Sequence, residues 1–428
     1  TASEPGPPHR FGTNLRRMHE AAVAVSLWLA AAWVGQLALA LGYLAASRRR
    51  PTAPPGAPPL PRFGVVMPVR GLEPSLPEAI ASVLSQDYPS FELHVVVDGP
   101  DDPAWPVVGK ALAGASNARR HALEERRPAC SLVCSSLLQA LERLDPSCEL
   151  LAFAAADLVA PRDWLRRLAA GLVDAEVAGT LGNRWYVPPE GRWGSLVRQQ
   201  WNAGAVVIMQ LLRIPWAGGL ALRRRDVESL GLRPVWERSL VEDVSVVRPA
   251  RAAGRTLRFL PGLLVANREE IDLPGAFRFI ARQLVWARLH HPAWPVVLLH
   301  SLAGSVTLAA PLLVALAAVA AGEPGAACLS IGALTAYLAA LTALVVPMEA
   351  AVRPHLRESG QEPQRWSLRF ASRFVLAAPL TQVVFTAAAV KATLAREITW
   401  SGVTYSIRGP LDVRLVSDAR HAGSAEAS

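Results

Sequence analysis

Lysine is nearly missing from this sequence. Lys110 and Lys391 are its two lysines, and arginine makes up the rest of 44 basic residues set against 35 acidic ones. The resulting excess of +9 suits anionic lipid headgroups or phosphorylated substrates. It also fits a GC-rich coding bias. No nucleic-acid recognition motif accompanies the charge, so a nucleic-acid partner is not expected. Cysteine is scarce too. Cys130, Cys134, Cys148 and Cys328 have neither zinc-ligand spacing nor the density of a disulfide scaffold, and are expected to be buried free thiols in a reducing compartment. No small-residue cleavage site follows the first apolar run, which excludes a cleaved signal peptide there.

Apolar sequence is abundant. Hydrophobic residues make up 51% of the chain and the mean hydropathy is +0.24, the composition of a membrane protein. Residues 21–46 carry no charge, and about 20 apolar residues suffice to span a bilayer. Further candidates are residues 294–321, 326–347 and 374–395, the first two joined by a turn short enough for a helical hairpin. These spans carry almost no ionisable residue besides Lys391, which argues against an ion or solute path. The sequence therefore divides into an N-terminal tail (1–20), a transmembrane anchor (21–46), a Pro-rich linker (51–62), a soluble α/β domain (63–292), membrane helices (293–396) and a basic C-terminal tail (397–428). The arginine-rich loop holding Arg353, Arg357, Arg365, Arg369 and Arg373 is expected on the cytoplasmic side, together with the α/β domain. A fourth crossing would carry the tail outside, yet the tail is itself basic (Arg396, Arg408, Arg414, Arg420). A re-entrant or interfacial last segment would remove that conflict, and the side of the tail stays open at this point.

Within the soluble part, residues 63–68 read as a buried strand, 76–85 as a helix with Pro77 in its first turn, and 91–97 as a second strand. Strand alternating with helix predicts a parallel, Rossmann-like sheet, whose ligands bind at the carboxyl ends of the strands. Asp98 stands at such an end. So does Asp157, in FAAADLVAPRDWL, although Ala155 occupies the place where a second acid would stand. Four features follow in order: the acidic turn 97–103, Asp157, the small-residue turn 216–224 with Arg223 and Arg224, and the pair Glu242-Asp243. Alone, each has an ordinary explanation in turn chemistry or helix capping. Downstream, Arg282 and Trp286 lie four apart and share a helix face. The stretch 193–216 reads equally as an interfacial helix or a core helix. His290 and His291, being adjacent, point to different helix faces and are not expected to share a metal.

The ordered set resembles that of membrane-bound family-2 glycosyltransferases, most closely the ceramide glucosyltransferase-like group. Residues 67–74 (MPVRGLEP), 86–89 with Glu92, 101–104, Glu242-Asp243, 282–286 (RQLVW) and 398–408 carry the resemblance. It implies a GT-A catalytic domain with one N-terminal and about three C-terminal transmembrane helices. It further implies an inverting hexosyl transfer, of glucose by expectation, from a UDP-sugar to a lipid hydroxyl. Asp98 and Asp102 would help bind the uridine diphosphate, with Glu242 and Trp286 also lining the substrates. Asp157 would hold a magnesium or manganese ion, Asp243 would be the base, and Arg282 would counter the diphosphate. The membrane, a lipid acceptor and a nucleotide-sugar donor are the implied partners, in a multi-pass protein of the bacterial inner membrane. Three positions depart from the group's pattern: Ala155, Leu132 in place of a lysine, and Val285 in place of an arginine. A processive polysaccharide synthase, or a degenerate relative that binds without turnover, are the alternatives.

Overall fold

The computed structural model describes residues 9–47 and 60–420. Most of the linker lies outside the described residues. Helix α1 (His9–Ser47) begins well before residue 21, so part of the expected tail is helical. The soluble domain is built on one seven-stranded sheet of order β3-β2-β1-β4-β6-β5-β7. Its strands are β1 (Phe63–Val69), β2 (Phe91–Val97), β3 (Ala118–Ala122), β4 (Leu150–Phe153), β5 (Val177–Tyr186), β6 (Leu220–Arg223) and β7 (Thr256–Asn267). Strand β1 pairs in parallel with β2 and β4, and β6 runs antiparallel between β4 and β5. The apolar runs FGVVMPV and FELHVVV sit at the centre, where both faces are covered; that explains runs without polar alternation. Helices α2 (Leu76–Leu84), α3 (Ala104–Ala111), α4 (Leu132–Arg143) and α5 (Trp164–Gly171) pack against the sheet. This is the α/β, GT-A arrangement; Asp98 follows directly on β2, and Asp157 lies four residues beyond the end of β4, at its carboxyl edge.

The next segment surrounds that edge. Helix α6 (Trp193–Leu212) leads to a short turn and β6, then to α7 (Arg224–Ser229), α8 (Leu232–Trp236), α9 (Val247–Ala252) and, after β7, α10 (Leu273–His290). The turn before β6 needs small residues for packing. A Cβ on Gly219 would meet the Gly182 backbone at 2.7 Å. Its arginines serve the scaffold: Arg223 pairs with Asp226 at 3.0 Å, and Arg224 donates to the Asp145 carbonyl at 2.7 Å. Neither is among the residues that line the cavity at the carboxyl edge.

Among the described residues, four helices are long and apolar enough to cross a membrane: α1, α11 (Trp294–Ala320), α12 (Pro324–Ala343) continued by α13 (Val345–Glu358), and α14 (Leu368–Leu394). Cys328 lies exposed on α12, unlike the three buried cysteines of the soluble domain. Helix α13 returns to the domain, where the Trp185 indole N–H donates to Glu349 at 2.8 Å. Helix α14 runs across α6 and α10: Thr381 donates to Gln200 at 3.0 Å, and Arg288 donates to the Thr393 carbonyl at 2.8 Å. The stretch 193–212 is thus a helix clasped between the domain and α14. The chain then ends in a three-stranded antiparallel sheet, β8 (Glu397–Trp400), β9 (Val403–Gly409) and β10 (Asp412–Asp418).

That small sheet corrects the reading of 397–428 as a tail. It folds back onto the catalytic edge, with Leu415 N–H donating to the Pro128 carbonyl at 2.9 Å and Leu132 N–H donating to the Tyr405 hydroxyl at 3.1 Å. Helix α14 contacts the soluble domain near both of its ends, through the Phe374 carbonyl with Gln200 and the Thr393 carbonyl with Arg288. Residues 421–428 lie outside the described residues.

Candidate active site

A cavity of about 1310 Å³ opens at the carboxyl edge of the sheet. Asp98, Asp157, Glu242, Asp243, Arg282 and Trp286, far apart in sequence, all line it. Asp102 does not. Its carboxylate accepts from Gly71 N–H at 2.9 Å and Ala104 N–H at 2.8 Å and is paired with Arg420, so it fixes the turn after β1 instead of facing the cavity. Gly71 sits at φ +76°, a conformation open to glycine, which lets its N–H turn toward Asp102.

Asp243 is held by two backbone donors. Val244 N–H reaches Oδ1 at 2.5 Å, and Ala217 N–H, from the small-residue turn, reaches Oδ2 at 3.0 Å. Trp236, fully buried with its ring 6.0 Å from that of Phe153, donates its indole N–H to the Glu242 carbonyl at 2.9 Å and anchors the segment. Asp243 and Glu242 are each 8% exposed. Burial raises both carboxyls above their ordinary range, the charge of Asp243 adding to the shift of Glu242. A raised carboxyl is the better proton acceptor near neutrality, provided it is ionised. A reaction that needs Asp243 ionised therefore slows as the pH falls, above the usual aspartate range. Glu242, raised further than Asp243, is protonated where Asp243 titrates, so Glu242→Gln is expected to leave that acid limb in place, read from kcat/KM against pH.

Helix α10 is positioned by its own start. Asp272 accepts from Gly275 N–H at 2.7 Å and Pro274 lies in the first turn. Arg282 enters the cavity, held below the ordinary arginine value by burial and then by Arg184, though a guanidinium stays charged at neutral pH. The Trp286 ring stacks 5.6 Å from that of Trp400 on β8. Val285 is 2% exposed and belongs to the hydrophobic core, not to the cavity wall, so an arginine is not missing from the cavity at that position. Ala155 and Leu132 do line the cavity.

The sequence reading passed over Arg184. It lies on β5 among buried neighbours, its guanidinium 4.4 Å above the Trp216 ring, 3.2 Å from the Tyr186 hydroxyl and 3.5 Å from Asp157 Oδ2. A charged residue inside an otherwise buried strand was the signal that could have found it. Arg198, 2% exposed, pairs with Glu269 and stands 4.3 Å over Tyr186. Arg184, Arg198 and Arg282 thus line the same cavity as the buried acid pair.

Asp157 Oδ2 also accepts from the Asn267 amide at 3.0 Å. Among the described residues no group of three or more His, Cys, Asp or Glu is placed to hold a metal. The donor set nevertheless suits one kind of cation. Asp157 Oδ1 takes no hydrogen bond from the described residues, and magnesium is commonly held by one or two carboxylates, with phosphate oxygens and waters completing its shell. His290 and His291 turn to different partners, the Ser239 hydroxyl and the Leu212 carbonyl, each at 3.1 Å.

The C-terminal sheet closes one side of the cavity. Asp98 pairs with Arg70 and, at 2.7 Å, with Arg126; both arginines also pair with Asp418 of β10. Arg70 Nε donates to the Ser401 carbonyl at 2.8 Å. Trp400, Ser401, Val403 and Tyr405 form part of the cavity wall. Asp418→Asn, which removes the charge tying β10 to these arginines, is expected to raise tryptic cleavage after the exposed Arg408 and Arg414 several-fold, measured on the folded protein.

A family model described as glycosyl transferase family 21 matches residues 23–410. A ceramide glucosyltransferase from Pyricularia oryzae is 40% identical over 82 residues, 18% of this chain and 17% of that protein. Among solved structures, the mannosyltransferase PcManGT from Pyrobaculum calidifontis in complex with GDP-Man and Mn2+ is 19% identical, with 85% of this chain and 99% of that one covered at a TM-score of 0.42. TarS 1–349 of S. aureus in complex with UDP-GlcNAc is 16% identical, with 83% and 99% covered at 0.37.

Proposed function

The chain belongs to glycosyl transferase family 21 and is a glycosyltransferase, and we propose that it moves glucose from a uridine diphosphate donor to the hydroxyl of a membrane lipid of the ceramide kind. The observation that carries this reading is one cavity lined both by the buried Asp243 and by Arg184 and Arg282, in a chain with long apolar helices. Asp243, oriented by Ala217 and Val244, takes the proton of the acceptor hydroxyl, which attacks the anomeric carbon as the bond to the diphosphate breaks. Arg184 and Arg282 stabilise the charge that grows on the departing diphosphate. Asp98 acts mainly through Arg70 and Arg126, which it holds beside the nucleotide side. Asp102 supports the same edge from behind by fixing Gly71. Glu242 lines the cavity beside Asp243, and Trp286 with Trp400 walls the acceptor path.

A magnesium or manganese ion would be held by Asp157, and when bound it would supply further positive charge to the diphosphate oxygens. The catalytic domain would face the cytoplasm of a bacterial inner membrane, with the lipid hydroxyl arriving from the bilayer past α6, α10 and α14.

The test is the fate of label from UDP-[14C]glucose in membranes containing the protein. Label in the chloroform-extractable fraction supports the lipid acceptor. Label in a water-soluble polymer would favour a polysaccharide synthase, for which four apolar helices are few to line an export channel. UDP formation with no glycosylated product would favour a degenerate relative.

A further inference from the structure

A second hollow, of about 650 Å³, lies between the end of α13 and the start of α14. Arg353, Arg357 and Arg365 line it, with Trp366, Gln364 and a single carboxylate, Glu362. Glu362 already pairs with Arg365 at 2.9 Å. Arg353 donates to the Gln364 carbonyl at 3.3 Å, and neither it nor Arg357 has an ion-pair partner among the described residues. Gln364 is 4% exposed. Its Nε2 donates to the Arg365 carbonyl, while its Oε1 is buried without a hydrogen-bond partner among the described residues. Uncompensated positive charge beside a buried, unused acceptor calls for a ligand that brings an anion and a hydrogen-bond donor together.

The position of the hollow narrows that ligand. It lies where one apolar candidate span ends and the next begins. Leu368 is 88% exposed just beyond it, and Leu376 is exposed one turn past Arg373. Apolar surface gives way to arginine at this level, as at the headgroup layer of a bilayer, and basic pockets between spans bind anionic headgroups.

We propose that this hollow binds the headgroup of an anionic membrane phospholipid carrying free hydroxyls. The arginines take the phosphate, Gln364 Oε1 accepts from a headgroup hydroxyl, and the acyl chains lie along the exposed leucines of α14. The hollow also shares its rim with the catalytic cavity. Gly360, Gln361 and Glu362 line both, and Gln361 Oε1 accepts from Ala266 N–H at 2.5 Å, next to the Asn267 that holds Asp157. A bound headgroup therefore steadies the edge of the active site.

The experiment is native mass spectrometry of the full chain in detergent, with dioleoyl phosphatidylglycerol, dioleoyl phosphatidylcholine or inorganic phosphate added. No sugar donor is used, so the outcome does not depend on the transferase reading. Phosphatidylglycerol should be retained about tenfold over phosphatidylcholine, and phosphate alone should not be retained. Arg353→Gln with Arg357→Gln should erase the preference. Arg357→Gln alone, at an exposed position that leaves the fold intact, should weaken it, and Arg414→Gln on β10 should not. Equal retention of the two lipids, retention of free phosphate, or an unchanged preference in the Arg357→Gln protein would each overturn the proposal.

Discussion

Asp243→Asn is expected to lower the transfer rate about a thousandfold, within the range for loss of a positioned general base. The amide keeps the size of the side chain but loses the charge that draws the proton. Because Asp243 accepts two backbone hydrogen bonds, the amide also turns one N–H toward another N–H, at a local cost of about 1–3 kcal/mol. Thermal unfolding of the variant should therefore shift modestly, whereas binding of UDP, read by calorimetry, should change by less than about threefold. A variant that binds UDP normally and transfers nothing places Asp243 in the chemistry. One that keeps a tenth of the rate removes it from that role.

Arg184→Gln is expected to be the second most damaging change. Its guanidinium is the cation that reaches Asp157, at 3.5 Å, and it stands in the same cavity as Asp243 and Arg282. Losing it should raise the donor KM and lower kcat, together costing about a hundredfold in kcat/KM, the size of one electrostatic donor to a developing anion. A second readout separates this from mere misfolding. The charge of Arg184 favours the ionised form of Asp243, so its removal should move the acid limb of the pH profile upward. Glu242→Gln, by contrast, should leave that limb in place. Arg184→Lys should restore the limb, because the charge returns, while leaving the donor KM high, because an ammonium cannot offer the planar fork of donors.

These two residues were unequally legible in the sequence. Asp243 stands in an acidic pair at a fixed place in an ordered series, and the strand pattern that put Asp98 and Asp157 at carboxyl ends is local, written in uninterrupted apolar runs. Arg184 belongs to no such series, and its role depends on Trp216, Asp157 and Asn267 folding around it. The same holds for the C-terminal sheet. Its strands are short and charged, and their partners (Arg70, Arg126 and Pro128) lie about 290 to 350 residues earlier, so composition alone read them as a tail. Asp102 shows the converse. An acid in the right place along the chain turns inward to fix Gly71, because two backbone N–H groups and Arg420 claim its oxygens. Val285 looked like a lost catalytic arginine and is a core residue. Ala155 lines the cavity without a carboxylate, while Arg184 and Asn267 gather around Asp157.

The measurement that tests the account most directly is the anomeric configuration of the product. The purified full chain, in vesicles with ceramide, would be given UDP-α-glucose, and the lipid fraction would be examined by NMR. A single displacement driven by Asp243 predicts a β-linked glucosyl lipid. An α-linked product, or free glucose with no glycolipid formed, would contradict it.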